Sequence, residues 1–96
     1  MIFIRSERFK QAFHSLPKEI QKKASRALRL LAAASPQGED PFYPSLVVKK
    51  VRGHTDIWEA RVDIKYRLTF RYERADGETI CILRNVDNHD ECLKNP

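Results

Sequence analysis

The chain has 96 residues, 42% hydrophobic and 32% charged, a composition that can bury one small core and that argues against both a disordered chain and a second domain. The net charge of +5 suits a polyanionic partner such as nucleic acid or an acidic protein, and it also suits an ordinary solvated surface. The basic excess lies in residues 1–52, which hold 11 Lys/Arg and 4 Asp/Glu, whereas residues 53–96 hold 7 and 9.

The N-terminal half predicts a short strand followed by a helical hairpin. Residues 2–4 are β-prone, and the hydroxyl of Ser6 can cap the helix that follows. Pro17, which lacks a backbone N–H, separates that helix from a second one over Lys18–Ala34. Apolar residues recur at helical spacing in both segments, at Phe9, Ala12, Phe13 and Leu16, then at Ile20, Ala24, Ala27, Leu28, Leu31 and Ala34. Another face of the second helix is cationic, with Lys18, Lys22, Arg26 and Arg29.

The C-terminal half predicts antiparallel strands after a proline-rich loop over Pro36–Pro44 and an irregular or short extended segment. Apolar and polar residues alternate in WEARVDI and YRLTFRYER, which places Trp58, Ala60, Val62, Ile64, Tyr66, Leu68, Phe70 and Tyr72 toward the core. The pair Asp76-Gly77 predicts a hairpin turn, because glycine tolerates positive φ. Thr79–Leu83 is typical of a central strand, and residues 88–91 predict a short terminal helical turn.

Together these elements predict an α+β fold over residues 1–96, in which an N-terminal strand and a helical hairpin pack on a twisted antiparallel sheet. We expect a cytoplasmic protein, because no apolar run is long enough for a signal peptide or a membrane span. The cysteines, Cys81 and Cys92, have no metal-like spacing, so neither a disulfide framework nor a cofactor is expected. Cys81 lies in an apolar run and should be buried.

The segments WEARVDIKYRLTFRY, ICILRN and NHDECL, in this order and spacing, resemble the RelE/ParE superfamily of toxins. The resemblance implies the fold just described and a cognate antitoxin that wraps the toxin of a type II toxin–antitoxin system. It implies one of two targets, messenger RNA in the ribosomal A site or DNA gyrase. We favour a ribosome-dependent mRNA endonuclease, and the alternatives are a non-catalytic gyrase inhibitor and a degenerate protein that only binds its antitoxin.

Metal-independent RNA cleavage needs a base for the 2′-OH, a cation for the phosphorane-like transition state and an acid for the leaving 5′-oxygen. Arg67 and Arg61 are the candidate cations, and Arg67 matches the Tyr-Arg position where nuclease relatives carry a phosphate-contacting arginine. His89 is the candidate acid or base, since imidazole generally titrates near neutral pH, and Asp90 could orient it. The alternative is that the arginines form surface salt bridges and that His89 is merely exposed beside a helix cap.

Five further cations are candidate RNA- or phosphate-binding residues: Lys49, Lys50, Arg52, Arg71 and Arg84. Arg71 could instead pair with Glu59 across strands, and Arg84 could simply be the polar end of the central strand. One departure weakens the nuclease hypothesis. Some nuclease relatives cluster several basic residues on the strand that reads WEARV here, whereas this chain keeps only Arg61 there, with Glu59 and Asp63 beside it.

Overall fold

The structure, a computed structural model, describes residues 2–33 and 42–96. In chain order the elements are β1 (Ile2–Arg5), α1 (Glu7–His14), α2 (Lys18–Ala32), a 3₁₀ helix (Pro44–Leu46), β2 (Lys49–Lys50), β3 (Trp58–Arg61), β4 (Tyr66–Ala75), β5 (Glu78–Asn88) and α3 (His89–Lys94). The predicted order of strands and helices is confirmed. The predicted last residue of the second helix, Ala34, and residues 36–41 of the predicted loop lie outside the described residues.

The helical hairpin forms as its capping residues predict. The Ser6 hydroxyl accepts the backbone N–H of Phe9 at 3.1 Å, which satisfies an orphan donor of the first turn of α1. Pro17 caps α2, and its carbonyl accepts the N–H groups of Ile20 and Gln21, both at 2.9 Å. The Gln21 amide in turn reaches back to the carbonyls of Phe13 and Leu16, so the two helices are tied together at their junction.

The strands form one sheet in the order β1-β5-β4-β3-β2. The pairs among β2, β3, β4 and β5 are antiparallel, as predicted, whereas β1 runs parallel to β5 at one edge. A parallel pair needs a long connection, and all elements from α1 to β4 lie between these two strands along the chain. At the β4–β5 turn, Asp76 and Gly77 have φ angles of 52° and 77°, which confirms the predicted two-residue hairpin.

The core lies between the inner face of the sheet and the α1–α2 hairpin. It contains the helix residues Phe9, Leu16, Ala24, Ala27 and Leu31, and the strand residues Ala60, Leu68, Phe70, Cys81, Leu83 and Val86. The alternation of β4 and the apolar stripe of α2 are therefore confirmed over these positions, and Cys81 is buried as predicted. Among the helices of the described residues, none is long and apolar enough to cross a membrane.

Strand β3 is shorter than the sequence pattern predicts. Ile64, expected in the core, is 83% exposed, because β3 ends at Arg61 and residues 62–65 form a turn. The Asp63 carboxylate closes this turn by accepting the backbone N–H groups of Lys65 at 2.9 Å and Tyr66 at 2.8 Å. A short side chain that bonds its own backbone in this way competes with strand pairing.

Candidate active site

Arg61 and Arg67 occupy opposite register positions on the outer face of the sheet, the face opposite the core, and Arg61 is the last residue of β3, where the chain leaves the sheet. Arg61 of β3 is the direct cross-strand partner of Arg67 of β4, and Arg67 is paired on its other side with Asp87 of β5. Directly opposite residues in a sheet project to the same face, with Cβ atoms about 5 Å apart. The two side chains therefore leave the sheet next to each other, and the contacts of each guanidinium group decide which of the two can meet an anion.

His89 is brought to the same end of the sheet by the start of α3. Its backbone N–H donates to the carbonyl of Lys65 at 2.7 Å, just before β4 begins. Asn88 caps α3, since its side-chain oxygen accepts the N–H of Glu91 at 3.0 Å. The imidazole is 51% exposed, and its Nδ1 lies 3.2 Å from Asp90 Oδ1. The contact with Asp90 that the sequence suggested is therefore present, and the predicted terminal helical turn is confirmed.

Arg67 is held by the protein itself. Its Nη1 donates to the carbonyls of Asp63 at 2.7 Å and Tyr66 at 2.9 Å. Its Nε lies 4.0 Å from Glu59 Oε1, and the side chains of Arg67 and Glu59 are only 11% and 6% exposed. The guanidinium thus stabilises the β3–β4 turn and balances a buried carboxylate. No hydrogen bond joins Arg67 to His89 within the described residues.

Arg61 has the opposite environment. Its side chain is exposed and makes no hydrogen bond or ion pair with any residue that the structure describes. It also lines a pocket together with Lys23 and Arg26 of α2. Of the two arginines that the sequence pointed to, Arg61 is therefore the one whose donors are available to a ligand.

The five predicted phosphate-binding cations fall into two groups. Lys49, Lys50 and Arg52 are exposed at the β2 edge, where Lys49 lies opposite Glu59 in the strand register and Lys50 Nζ lies 5.4 Å from the centre of the Trp58 ring. The other two have partners within the protein. Arg71 pairs with Glu73 of its own strand, not with Glu59, and Arg84 Nε donates to the carbonyl of Pro96 at 3.2 Å.

Sequence reasoning missed Asp87 and Lys23, and it placed Arg26 only on the cationic face of the second helix; the fold places all three next to the candidate residues. The register of β5 was hidden because a bulge lies between the pairs Thr69–Asn85 and Phe70–Leu83, which leaves Arg84 unpaired. The cationic side chains of α2 carried a signal in their helical spacing, but nothing in that spacing shows which strand end they face.

Among the described residues, no three His, Cys, Asp or Glu side chains are grouped so as to hold a metal ion.

Three solved structures that superpose on this chain are described as toxins, one as YoeB/ParE and one as RelE in complex with RelB. A YoeB/ParE toxin from Agrobacterium tumefaciens superposes with a TM-score of 0.69 at 13% identity, covering 93% of this chain and 99% of that one. In a RelB–RelE antitoxin–toxin complex from Methanococcus jannaschii, the matching chain gives a TM-score of 0.60 at 15% identity, covering 95% and 93%. A copper-bound mutant toxin from Helicobacter pylori gives 0.59 at 15% identity, covering 95% and 97%.

These superpositions show that the chain has the RelE/ParE fold, as the resemblance in its sequence predicted. At the level of sequence, no protein-family model and no curated protein matches it.

Proposed function

We propose that this protein is the toxin of a type II toxin–antitoxin pair and that it cleaves messenger RNA on the ribosome. The observation that carries the proposal is the gathering of Arg61, Arg67 and His89 at one end of the sheet, on a fold shared with toxins. Two of the three side chains, those of Arg61 and His89, are exposed to a substrate.

In this mechanism His89 acts as the base. Its neutral imidazole removes the proton of a ribose 2′-OH, and the oxygen attacks the adjacent phosphorus. The new O–P bond forms as the P–O5′ bond breaks, which leaves a 2′,3′-cyclic phosphate and a 5′-oxygen that takes a proton from water, and the hydroxide so formed takes the proton back from the His89 imidazolium. Arg61 donates to the phosphate oxygens, whose charge grows in the transition state. Arg67 positions the site by holding the turn between β3 and β4.

The partners follow from the same proposal. The Methanococcus jannaschii structure is a toxin bound to its antitoxin, and we expect a cognate antitoxin for this chain. Ile2 and Ile4 of edge strand β1 are 47% and 46% exposed, which is apolar surface that a partner could cover. The exposed cations Lys49, Lys50 and Arg52 would contact RNA phosphates.

The test is induced expression of the wild-type chain and of matched pairs of variants. His89→Gln and Arg61→Gln should abolish growth arrest and the cutting of translated mRNA. His54→Gln and Arg74→Gln, exposed residues of the same types outside the site, should remain toxic. Circular dichroism and a thermal melt on each purified variant would show that the fold is retained.

The pattern of inhibition separates this proposal from its alternatives. An mRNA endonuclease stops protein synthesis within minutes and leaves cut codons on translated messages. Blocked replication with DNA damage and continuing translation would identify a gyrase inhibitor instead. Normal growth would identify a protein that only binds its antitoxin.

A further inference from the structure

A pocket of about 230 Å³ lies where helix α2 meets the end of strand β3. Both elements contribute cations to its lining, with Lys23 and Arg26 from α2 and Arg61 from β3. Ser45 of the 3₁₀ helix adds a hydroxyl group. The volume equals that of several water molecules at roughly 30 Å³ each, which is enough for a small oxyanion with part of its hydration shell.

Only part of the positive charge of this pocket is neutralised within the part of the chain that the structure describes. Asp63 is the one carboxylate among the lining residues, and its oxygens are already engaged. One of them accepts two backbone N–H groups of the β3–β4 turn, at 2.9 and 2.8 Å, and the other lies 3.4 Å from Lys23 Nζ. Arg26 and Arg61 make no hydrogen bond or ion pair with a described residue, so both guanidinium groups are available.

The remaining residues that line the pocket favour an anion over a metal cation as its ligand. Ala27, Leu30, Leu46 and Val62 are apolar, and Leu46 and Ala27 are buried, so polar contacts come from the cationic rim and the hydroxyl. An apolar wall lowers the local dielectric and strengthens the attraction of the rim for an anion. A metal cation would be repelled, whereas the two guanidinium groups, of Arg26 and Arg61, match the oxygens of a phosphate.

We propose that this pocket binds a phosphate group of the RNA backbone next to the scissile phosphate. The inference rests on the proposed function, because it takes RNA as the ligand. Arg61 links the two places: it stands opposite Arg67 in the sheet, and because it is the last residue of β3 it also lines the pocket beside α2. A strand of RNA that crosses the end of β3 would thus leave one phosphate at Arg61 and His89 and a neighbouring phosphate between Arg61 and α2.

The chain offers a matched pair of variants on one helix. Lys23→Gln with Arg26→Gln removes one lysine and one arginine from the pocket. Lys22→Gln with Arg29→Gln removes the same residue types from the part of α2 that lines a different groove. All four side chains are exposed, and the change in net charge is identical.

Binding is measured by fluorescence anisotropy with a short, fully 2′-O-methylated RNA over a series of salt concentrations. This RNA has no free 2′-OH and cannot be cleaved, so binding is read separately from catalysis. The pocket variant should bind about tenfold more weakly, and its log–log salt slope should fall by about 0.7, the value for one lost phosphate contact on a single strand. The control variant should bind within about twofold of wild type.

Equal weakening by the two double variants would overturn the proposal, because it would mean that only net charge matters. Failure of the wild-type chain to bind this RNA at about 50 mM salt would also overturn it. Loss of Lys23 also removes its ion pair with Asp63 and so can disturb the β3–β4 turn. The single variant Arg26→Gln avoids this effect, because Arg26 has no partner in the described residues, and it should weaken RNA binding in the same direction. Pocket-dependent RNA binding without any cleavage in cells would instead refute the proposed nuclease activity and leave the phosphate site standing.

Discussion

Arg67, a candidate catalytic cation in the sequence, is bound by neighbouring groups of the protein in the fold. Its Nη1 bonds two carbonyls of the β3–β4 turn, and its Nε faces the buried carboxylate of Glu59. Arg67→Ala leaves that carboxylate buried without a cation, so we expect a loss of about 3 kcal/mol in the free energy of unfolding. Urea denaturation followed by circular dichroism measures it.

A second substitution identifies the source of that loss. Adding Glu59→Gln to Arg67→Ala removes the buried charge, so the double variant should regain a large part of the lost stability. If the two substitutions are simply additive, the Glu59 carboxylate does not depend on Arg67, and the contact at 4.0 Å contributes nothing. An inactive Arg67→Ala variant therefore counts as evidence for a direct role in cleavage only if its stability is measured alongside.

Asp63 gives the turn beside Arg67 a dependence on pH. Burial raises the pKa of this carboxyl, but the N–H groups of Lys65 and Tyr66 and the ammonium of Lys23 outweigh it, so the net pKa lies below its ordinary value of 3.8. A pKa lowered by folding means that the carboxylate stabilises the native state above the unfolded-state pKa, and that this stability is lost as pH falls through the folded pKa.

Asp63→Asn isolates this charge, because the amide oxygen can still accept the two backbone N–H groups. The melting temperature of wild type should exceed that of Asp63→Asn at neutral pH, and the gap should shrink as pH falls below about 3.8. Differential scanning calorimetry between neutral and acidic pH measures the gap. A gap that stays constant over this range would mean that the charge of Asp63 has no stabilising effect.

The alternation of residues predicted which face each strand residue occupies, but not what covers that face. Glu59 was expected on the polar face and does lie there, yet it is buried, as is Thr69 opposite it. Part of the outer face is covered by α3, whose Cys92 is also fully buried. Such burial depends on contacts between residues far apart in the chain, and it places the Arg67 guanidinium beside the buried carboxylate of Glu59.

At the scale of elements, α3 is a short helix that packs on the outer face of the sheet and is held there by hydrogen bonds. Asn85 donates to the carbonyl of Asn95 at 2.9 Å, and Arg84 bonds the carbonyl of Pro96. Burial raises the pKa of the Cys92 thiol to about 11 and that of Cys81 to about 12. Both thiols are therefore expected to be almost entirely protonated and protected in the native state.

Labelling with iodoacetamide at about pH 8, read by mass spectrometry of each cysteine peptide, tests how α3 is held. Cys92 should react faster than Cys81, because α3 is only six residues long, whereas Cys81 lies on a strand paired on both sides. Both should react quickly in denaturant. Equal native rates would mean that α3 opens only when the whole domain unfolds.

The elements themselves were largely predictable, because each has a local cause. The Ser6 cap, Pro17, the Asp76-Gly77 turn and the Asn88 cap all act over a few residues and stand where the sequence placed them. The predicted end of β3 was wrong, because two local preferences compete there: the alternation that favours a strand and a side chain that closes a turn. Ile64 continued the alternation of β3, but the side chain of Asp63 closed a turn there.

At the scale of the whole molecule, the fold turns an uneven charge distribution along the chain into basic surfaces. The exposed cations of α2 and of the β2 segment all belong to residues 1–52, whereas acidic Asp90 and Glu91 are exposed on α3. If the target is the ribosome, this charge should act on ribosomal RNA by displacing counterions. Co-sedimentation with purified ribosomes should then fall steeply between about 50 and about 300 mM salt.

The same measurement separates two roles for helix α2. Lys22→Gln with Arg29→Gln, expected to change the binding of a short RNA little, should weaken binding to ribosomes, because a large polyanion contacts a broad surface and not one pocket. Lys23→Gln with Arg26→Gln should weaken both. If ribosome binding is changed neither by salt nor by either double variant, ribosomal RNA is not the binding partner of this surface. The basic surface would then be expected to bind an acidic protein. That result would favour a gyrase inhibitor, or a protein that only binds its antitoxin, over an mRNA endonuclease.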